Sequence, residues 1–209
     1  LIRFGMPKGV VKRKSISLIE DLLRVPINKD KLHFFDQGDV HYYLLKHRDI
    51  PRLIELGCLD LGITSTEWLY ENGSDLYIHK ELDWCDTRIS LISDKDSPVL
   101  SENATIRCIT EFPRITRDFF SRTNKNNVTI DNISGSSEAL VPSIYNCCVD
   151  CVETGKTLLL HNLTEESIIY KSQIVLVSKH TVCNQTKNLI TMIMELMSHK
   201  EQNCSINGM

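Results

Sequence analysis

The sequence predicts an α/β fold in two lobes, and three observations carry that prediction. An apolar run, Ile2 to Met6, ends at the turn Pro7-Lys8-Gly9, and Ile16, Ile19, Leu22 and Leu23 then fall at helical spacing, the standard opening of an α/β layer. Short apolar runs keep alternating with short amphipathic ones along the chain. A loop-like stretch, Asp94-Lys95-Asp96-Ser97-Pro98 followed by Ser101-Glu102-Asn103, interrupts the alternation, and beyond it the pattern restarts. The 209 residues suffice for two small α/β lobes with cores of their own.

Taken in order, the first strand (2–6) leads to a helix over Val10 to Leu23, leaving Lys8 at the strand's C-terminal end, where α/β folds collect ligands. Residues 25–41 are irregular and polar, with a turn at Asp36-Gln37-Gly38-Asp39, and Tyr42 to Leu45 reads as a strand. Asp49 is placed to cap a short helix that carries Pro51 in its first turn and stops at Gly57. Leu59 to Ile63 is the next strand, and Thr64 with Glu67 has the capping-box spacing for a helix ended by Asn72-Gly73. Strands at Leu76 to Leu82 and Arg88 to Ile92 complete this part. After the interruption come a strand (Thr105 to Ile109), a helix (Pro113 to Arg122) and a strand (Val128 to Ile133). The turn Ser134-Gly135-Ser136-Ser137-Glu138 follows, with a helix expected from it to Tyr145. Strands at Cys148 to Glu153 and Ser172 to Val177 and an amphipathic helix from Asn184 to Ser198 close the chain, with a frayed tail expected from Lys200.

Composition narrows the function classes. A net charge of −3 and no basic tract beyond Lys12-Arg13-Lys14, read as a solvated helix face, argue against nucleic acid. No apolar run is long enough to span a bilayer, and the run before Pro7 is too short for a secretory segment. Eight cysteines without such a segment suggest reduced thiols, so a cytoplasmic enzyme or binding protein is expected.

The chemistry concentrates in Cys148-Val-Asp-Cys-Val-Glu-Thr-Gly-Lys-Thr-Leu158. Two acids, Asp150 and Glu153, precede a turn of Thr154, Gly155, Lys156 and Thr157, and Leu158-Leu159-Leu160 opens a helix. Backbone N–H groups, two hydroxyls and a lysine at one point suit a phosphate dianion. Carboxylates beside a phosphate repel it unless a hydroxyl or Mg²⁺ stands between, so at least one of the two acids suits a sugar hydroxyl or Mg²⁺, the alternative being a structural pair that caps the loop. A nucleotide-hydrolysing P-loop needs glycine where Asp150 stands. Cys148 and Cys151 fall on opposite faces of a strand, which suits small buried hydrophobes better than a zinc or redox pair. The seven histidines have no paired metal-ligand spacing, and no metal-ligating residues are assigned.

Together these residues resemble the ATP phosphoribosyltransferases that begin histidine biosynthesis. Met6-Pro7-Lys8-Gly9 is similar to that family's opening motif, and Arg48-Asp49-Ile50-Pro51 with Gly57-x-x-Asp60-Leu61-Gly62-Ile63 to its second. Phe112-Pro113-x-x-Thr116-Arg117, Gly135-Ser136-x-Glu138 and Asp150-x-x-Glu153-Thr154-Gly155-x-Thr157-Leu158 follow in the family's order. The resemblance implies two lobes of the type II periplasmic-binding-protein kind with the site in the inter-lobe cleft, residues 1–92 with 178–209 forming one and 93–177 the other. It also implies the short form, partnered by a catalytically silent relative of histidyl-tRNA synthetase in a homo- or hetero-oligomer. Thr154 to Thr157 would hold the 5-phosphate of phosphoribosyl diphosphate, and Asp150 and Glu153 its ribose hydroxyls. Lys8 and Arg48 would steady the leaving pyrophosphate, with Mg²⁺ carried by the diphosphate rather than by a cluster of protein ligands. Gly135, Ser136 and Glu138 would contact ATP or the second lobe.

The chain departs from the family's pattern at Val10, at Glu111 and in the shortened segment Ile144 to Cys148, and Asp36 to Val40 lacks the expected arginine. The departures remove cations, so the phosphoribosyl half is expected to match the family better than the ATP half. Two other readings stand beside the transferase: a phosphoribosyltransferase with another base or nucleotide as acceptor, and a non-catalytic two-lobed domain that binds a phosphorylated metabolite.

Overall fold

A computed structural model of the chain describes residues 1–24, 27, 34–101, 105–125 and 127–206, with only the backbone at 34–37 and 199–206. Parts of the stretch 25–41 and the expected loop at Glu102-Asn103 lie outside the described residues. Two compact units result, Leu1–Cys85 with Ile174–Met209, and Asp86–Gln173. Unit 1 runs β1 (Ile2–Pro7), α1 (Lys12–Leu23), β2 (Phe34–Gln37), β3 (Val40–Leu45), a 3₁₀ turn (His47–Asp49), α2 (Ile50–Glu55), β4 (Leu61–Ser65), α3 (Thr66–Asn72) and β5 (Tyr77–Leu82). Unit 2 follows with β6 (Arg88–Asp94), β7 (Ile106–Thr110), α4 (Pro113–Phe120), β8 (Val128–Asn132), a 3₁₀ turn (Ser137–Leu140), β9 (Cys147–Val152), α5 (Lys156–Leu160) and β10 (Leu163–Lys171). The chain then returns to unit 1 as β11 (Ile174–Ser178) and α6 (Asn184–Ile206). Among the described residues no helix is long and apolar enough to cross a membrane.

The sheet of unit 1 has the order β2-β3-β1-β4-β11-β5. β3, β1 and β4 are mutually parallel, and β11 lies antiparallel to β4. Both faces are covered, so its strands alternate between two cores. Ile174 and Leu176 of β11 join Leu18 and Ile19 of α1 and Leu189 and Ile193 of α6, while Val175 and Val177 join Ile50 and Ile54 of α2. At the strand entrances Arg3 and Asp60 clip β1 to β4, through Arg3 Nε to Oδ2 at 3.0 Å and Nη2 to Oδ1 at 2.9 Å.

α2 lies directly on the sheet because the residues beneath it have no side chain. A Cβ on Gly62 would stand 2.5 Å from Ile50 Cγ2, 3.2 Å from Ile54 Cδ1 and 3.3 Å from the Gly5 carbonyl oxygen. The obstructing atoms belong to β-branched side chains and backbone, which yield little. Gly62→Ala is therefore expected to destabilise unit 1 by about 1–3 kcal/mol through overpacking. A fall in the urea midpoint at unchanged slope would register it, and an unchanged midpoint would mean that α2 can lift.

The second sheet has the order β10-β6-β9-β7-β8, with β7, β8 and β9 parallel and β6 antiparallel to both its neighbours. The lobe edges expected at residues 92 and 178 shift accordingly. β6 belongs to unit 2 because it pairs with β9 and β10 there, and β11 belongs to unit 1 because it pairs with β4 and β5.

Several local expectations change as well. Asp49 already has helical backbone (φ −88°, ψ −24°) and makes no cap bond; its carboxylate meets Arg48 Nε at 3.6 Å instead. Thr64 lies in β4 and donates to the His47 carbonyl, so the capping box does not form. The helix expected from Glu138 to Tyr145 is one 3₁₀ turn, since Val141, before Pro142, is extended (φ −101°, ψ 135°). α6 continues past Lys200 to Ile206. Gly57 behaves as expected at φ 73°: its N–H reaches the Ile54 carbonyl and that of Cys58 the Leu53 carbonyl, the paired bonds of a Schellman ending.

Candidate active site

The centre of unit 2 is β9, flanked by β6 and β7. Cys147, Cys148, Val149 and Val152 are buried, Asp150 is half-buried and Cys151 is exposed. Burial pushes the Cys148 thiol up, and a hydrogen bond with Cys108 followed by burial does the same for Cys147, so both are neutral and pack as small apolar groups. β9 therefore presents the Asp150 carboxylate, rather than the thiols of Cys147 and Cys148, to the loop that follows.

That loop turns through Gly155 at φ 71°, a conformation that favours glycine, and enters α5. Of Leu158-Leu159-Leu160 only Leu158 is buried, in a cluster with Ile92, Cys148 and Val152, while Leu159 and Leu160 are exposed. One apolar anchor, Leu158, thus fixes the start of α5, directly after Thr157, against the core of unit 2.

A second turn meets the loop. Gly135 (φ 84°) and Ser136 (φ 53°) are both left-handed, and the 3₁₀ turn after them brings Ser137 back to β9. Ser137 Oγ donates to Asp150 Oδ2 at 2.5 Å, and the Cys151 N–H donates to Asp150 Oδ1 at 2.7 Å. The Asp150 carboxylate is held at both oxygens, and lone pairs remain on each. Ser136, Glu138, Asp150 and the whole run Glu153 to Thr157 line one cavity of about 340 Å³. Eight residues singled out in the sequence thus share a surface. Gly135 shapes the turn without lining the cavity; a Cβ there would stand 3.6 Å from the Glu111 carboxylate.

Lys8 and Arg48 belong to the other unit. Lys8 follows β1 and its N–H donates to the Leu45 carbonyl at 2.7 Å, while Arg48 sits in the 3₁₀ turn that follows β3. Both cations therefore stand beyond the C-terminal ends of adjacent parallel strands. The turn that carries Arg48 is pinned twice, by Thr64 Oγ1 on the His47 carbonyl and by Asn72 Nδ2 on the Arg48 carbonyl, each at 3.0 Å. Burial pushes His47 down to about 4, so at neutral pH it adds no charge beside Arg48.

Three residues near the loop carry no signal in sequence reasoning, namely Ser137, Arg88 and Glu165. The guanidinium of Arg88 grips Glu165 with Nε to Oε1 at 2.6 Å and Nη2 to Oε2 at 2.7 Å, and its Nη1 donates to the Glu153 carbonyl at 3.0 Å. The hydrogen bond from Arg88 holds the Glu165 carboxyl below the usual carboxylate range.

Chemically the cavity offers the hydroxyls of Ser136, Thr154 and Thr157, a lysine and a glycine turn together with three carboxylates, Glu138, Asp150 and Glu153. That arrangement suits a phosphate joined to a polyhydroxylated carbon skeleton. Among the described residues no group of three or more His, Cys, Asp or Glu side chains is placed to hold a metal ion by itself.

Comparison with known proteins points the same way. A family model described as ATP phosphoribosyltransferase matches residues 46–199. The ATP phosphoribosyltransferase of Pyrococcus furiosus is 32% identical over 183 residues, covering 85% of this chain and 88% of the relative. That of Thermococcus gammatolerans is 31% identical over 206 residues, 94% of this chain and 98% of the relative. Among solved structures, the ATP phosphoribosyl transferase (HisG:HisZ) complex from Thermotoga maritima matches with a TM-score of 0.83 at 20% identity, over 95% of this chain and 100% of that one. The substrate binding protein of an amino acid ABC transporter matches with a TM-score of 0.56 at 11% identity, over 97% and 93%. The fold is thus that of the type II periplasmic binding proteins.

Proposed function

The chain belongs to the ATP phosphoribosyltransferase family, and from that premise we infer that the cavity beside Asp150 is its phosphoribosyl subsite. The activity is transfer of 5-phosphoribose from phosphoribosyl diphosphate to N1 of the ATP adenine ring with release of pyrophosphate, the first step of histidine biosynthesis. The observation that carries the assignment is the shared cavity, in which a hydroxyl-and-glycine loop faces a fixed carboxylate.

In this reading Thr154, Gly155, Lys156 and Thr157 bind the 5-phosphate, and Asp150 and Glu153 hold the ribose hydroxyls. Ser136 and Glu138, expected from the sequence to contact ATP or the second lobe, line the same cavity, which favours a place for them around the sugar instead. Lys8 and Arg48 engage the diphosphate as it leaves. An arginine suits that role because it stays charged and bonds bidentately. The ribose passes through an oxocarbenium-like state, so the chain's work is to orient the sugar, place anionic groups near its developing positive charge and cations near the leaving group. No side chain is needed as a covalent nucleophile.

Mg²⁺ fits this donor set as a passenger of the diphosphate. A magnesium ion commonly takes one or two carboxylates plus substrate phosphates, and Glu138, which lines the same cavity, would supply one beside the diphosphate oxygens. When bound it neutralises charge on the departing diphosphate. The Thermotoga maritima protein was solved as a complex with HisZ, which supports a regulatory partner of that kind, and hence a hetero-oligomer, for this chain.

The test is to follow pyrophosphate release with phosphoribosyl diphosphate, Mg²⁺ and ATP, with and without a synthetase-like partner. Release that requires ATP is the expected result. Tight phosphoribosyl diphosphate binding without release would overturn the reading, and turnover with another base would reassign the acceptor.

A further inference from the structure

We propose that Arg88 is a positioning residue for the phosphate loop, acting through the backbone carbonyl of Glu153; the proposal rests on the phosphoribosyl assignment above. Arg88 opens β6, and its backbone pairs with Val152 on one side and Lys171 on the other. Two of its guanidinium nitrogens are occupied by Glu165, whose Oε1 also accepts from Ser90 Oγ at 2.6 Å. The remaining Nη1 reaches the Glu153 carbonyl at 3.0 Å. Because Glu165 balances its charge, Arg88 is suited to directing backbone geometry more than to attracting an anion.

The consequence follows from peptide planarity. The Glu153 carbonyl and the Thr154 N–H share one rigid plane and point in opposite directions, so fixing the first fixes the second. A flipped plane would turn a carbonyl oxygen to where the Thr154 N–H pointed and replace an anion donor by a repelling dipole. The far end of the same segment is also tied to β6. Asn162, left-handed at φ 55°, accepts from the Lys95 N–H at 3.0 Å and donates through Nδ2 to Asp96 Oδ2 at 3.0 Å. One strand, with the two residues after it, thus holds both ends of the stretch 153–162. A lysine at position 88 could contact Glu165 or the carbonyl, but it lacks the fork that lets arginine hold both at once.

Glu166 provides the control. Its carboxylate accepts the Val99 and Leu100 N–H groups at 2.8 and 2.9 Å, so Glu166→Gln disturbs unit 2 without touching the loop. Arg88→Lys and Arg88→Gln are to be compared with Glu166→Gln in three readouts: phosphoribosyl diphosphate Kd in Mg²⁺, ATP KM, and melting temperature. Both Arg88 variants are expected to raise the phosphoribosyl diphosphate Kd about 10- to 100-fold, the loss of one charged hydrogen bond's worth of order, with ATP KM unchanged. Glu166→Gln should lower the melting temperature at constant Kd. A Kd that stays constant in the Arg88 variants, or rises in Glu166→Gln as much as in them, overturns the positioning role. If Thr154→Ala with Thr157→Ala also leaves Kd unchanged, the phosphoribosyl assignment of the loop fails instead.

Discussion

Replacing Thr154 and Thr157 together by alanine is expected to raise the KM for phosphoribosyl diphosphate by about 10²- to 10⁴-fold. Each hydroxyl can donate to the phosphate dianion, and a hydrogen bond to a charged group contributes roughly 1.5–3 kcal/mol. Two such bonds give about 3–6 kcal/mol, which converts to that range. The loop itself should survive the change. Leu158 remains its buried anchor, Gly155 retains the turn at φ 71°, and both threonine side chains are exposed, so no core volume is lost. Melting temperature should therefore hold while KM rises, and the ATP KM should not move. Initial rates of pyrophosphate release against phosphoribosyl diphosphate concentration measure the effect. Unchanged kinetics would place the phosphate on other groups and remove the main support for the subsite.

The loop was legible in the sequence because its chemistry is local. Thr154 to Thr157 are consecutive, and they line one cavity together whichever sheet they belong to. Helix endings were legible for the same reason: Gly57 and Gly73 take left-handed φ values of 73° and 64°, which few residues but glycine adopt readily. β10 was not legible, because register shifts between Glu165 and Ser167 and between Ile168 and Tyr170 break the alternation on which a strand is recognised. The edges of the two units were misplaced by one strand each, since nothing in Arg88–Asp94 or Ile174–Ser178 says which sheet it will join. Ser137, Arg88 and Glu165 escaped because they reach the loop and its carboxylate from other strands and turns. Arg88 lies 65 positions from Glu153 and 77 from Glu165. Direct ligands of a small anion can sit together in sequence, whereas the groups that orient them are brought in by the fold.

Asp150 carries the last expected result: Asp150→Asn should lower kcat by about 10²–10³, with a smaller rise in phosphoribosyl diphosphate KM. The wild-type carboxylate has one protein donor on each oxygen, Ser137 on Oδ2 and the Cys151 N–H on Oδ1, which fixes its plane. In the proposed subsite its remaining lone pairs would meet two ribose hydroxyls, and its negative charge would lie beside the ring where positive charge grows. An asparagine amide can keep the Cys151 bond if its NH₂ faces Ser137, whose hydroxyl can turn and accept. The opposite orientation sets the NH₂ against an N–H and is excluded. Packing is therefore preserved, while the charge and one acceptor oxygen are lost. A preorganised group that stabilises charge developing only in the transition state acts on kcat more than on ground-state binding, by about 3–4 kcal/mol where one such group has been removed in other enzymes. Ser137→Ala separates orientation from charge: the carboxylate stays anionic but loses one tether, so kcat should fall by only about 10-fold. Steady-state kinetics with both substrates, set beside a direct phosphoribosyl diphosphate Kd, tell the cases apart. Should Asp150→Asn raise KM and Kd alike at constant kcat, the carboxylate would be a plain sugar ligand, and stabilisation of the oxocarbenium charge would have to come from another group in the cavity, with Glu138 the nearest in kind.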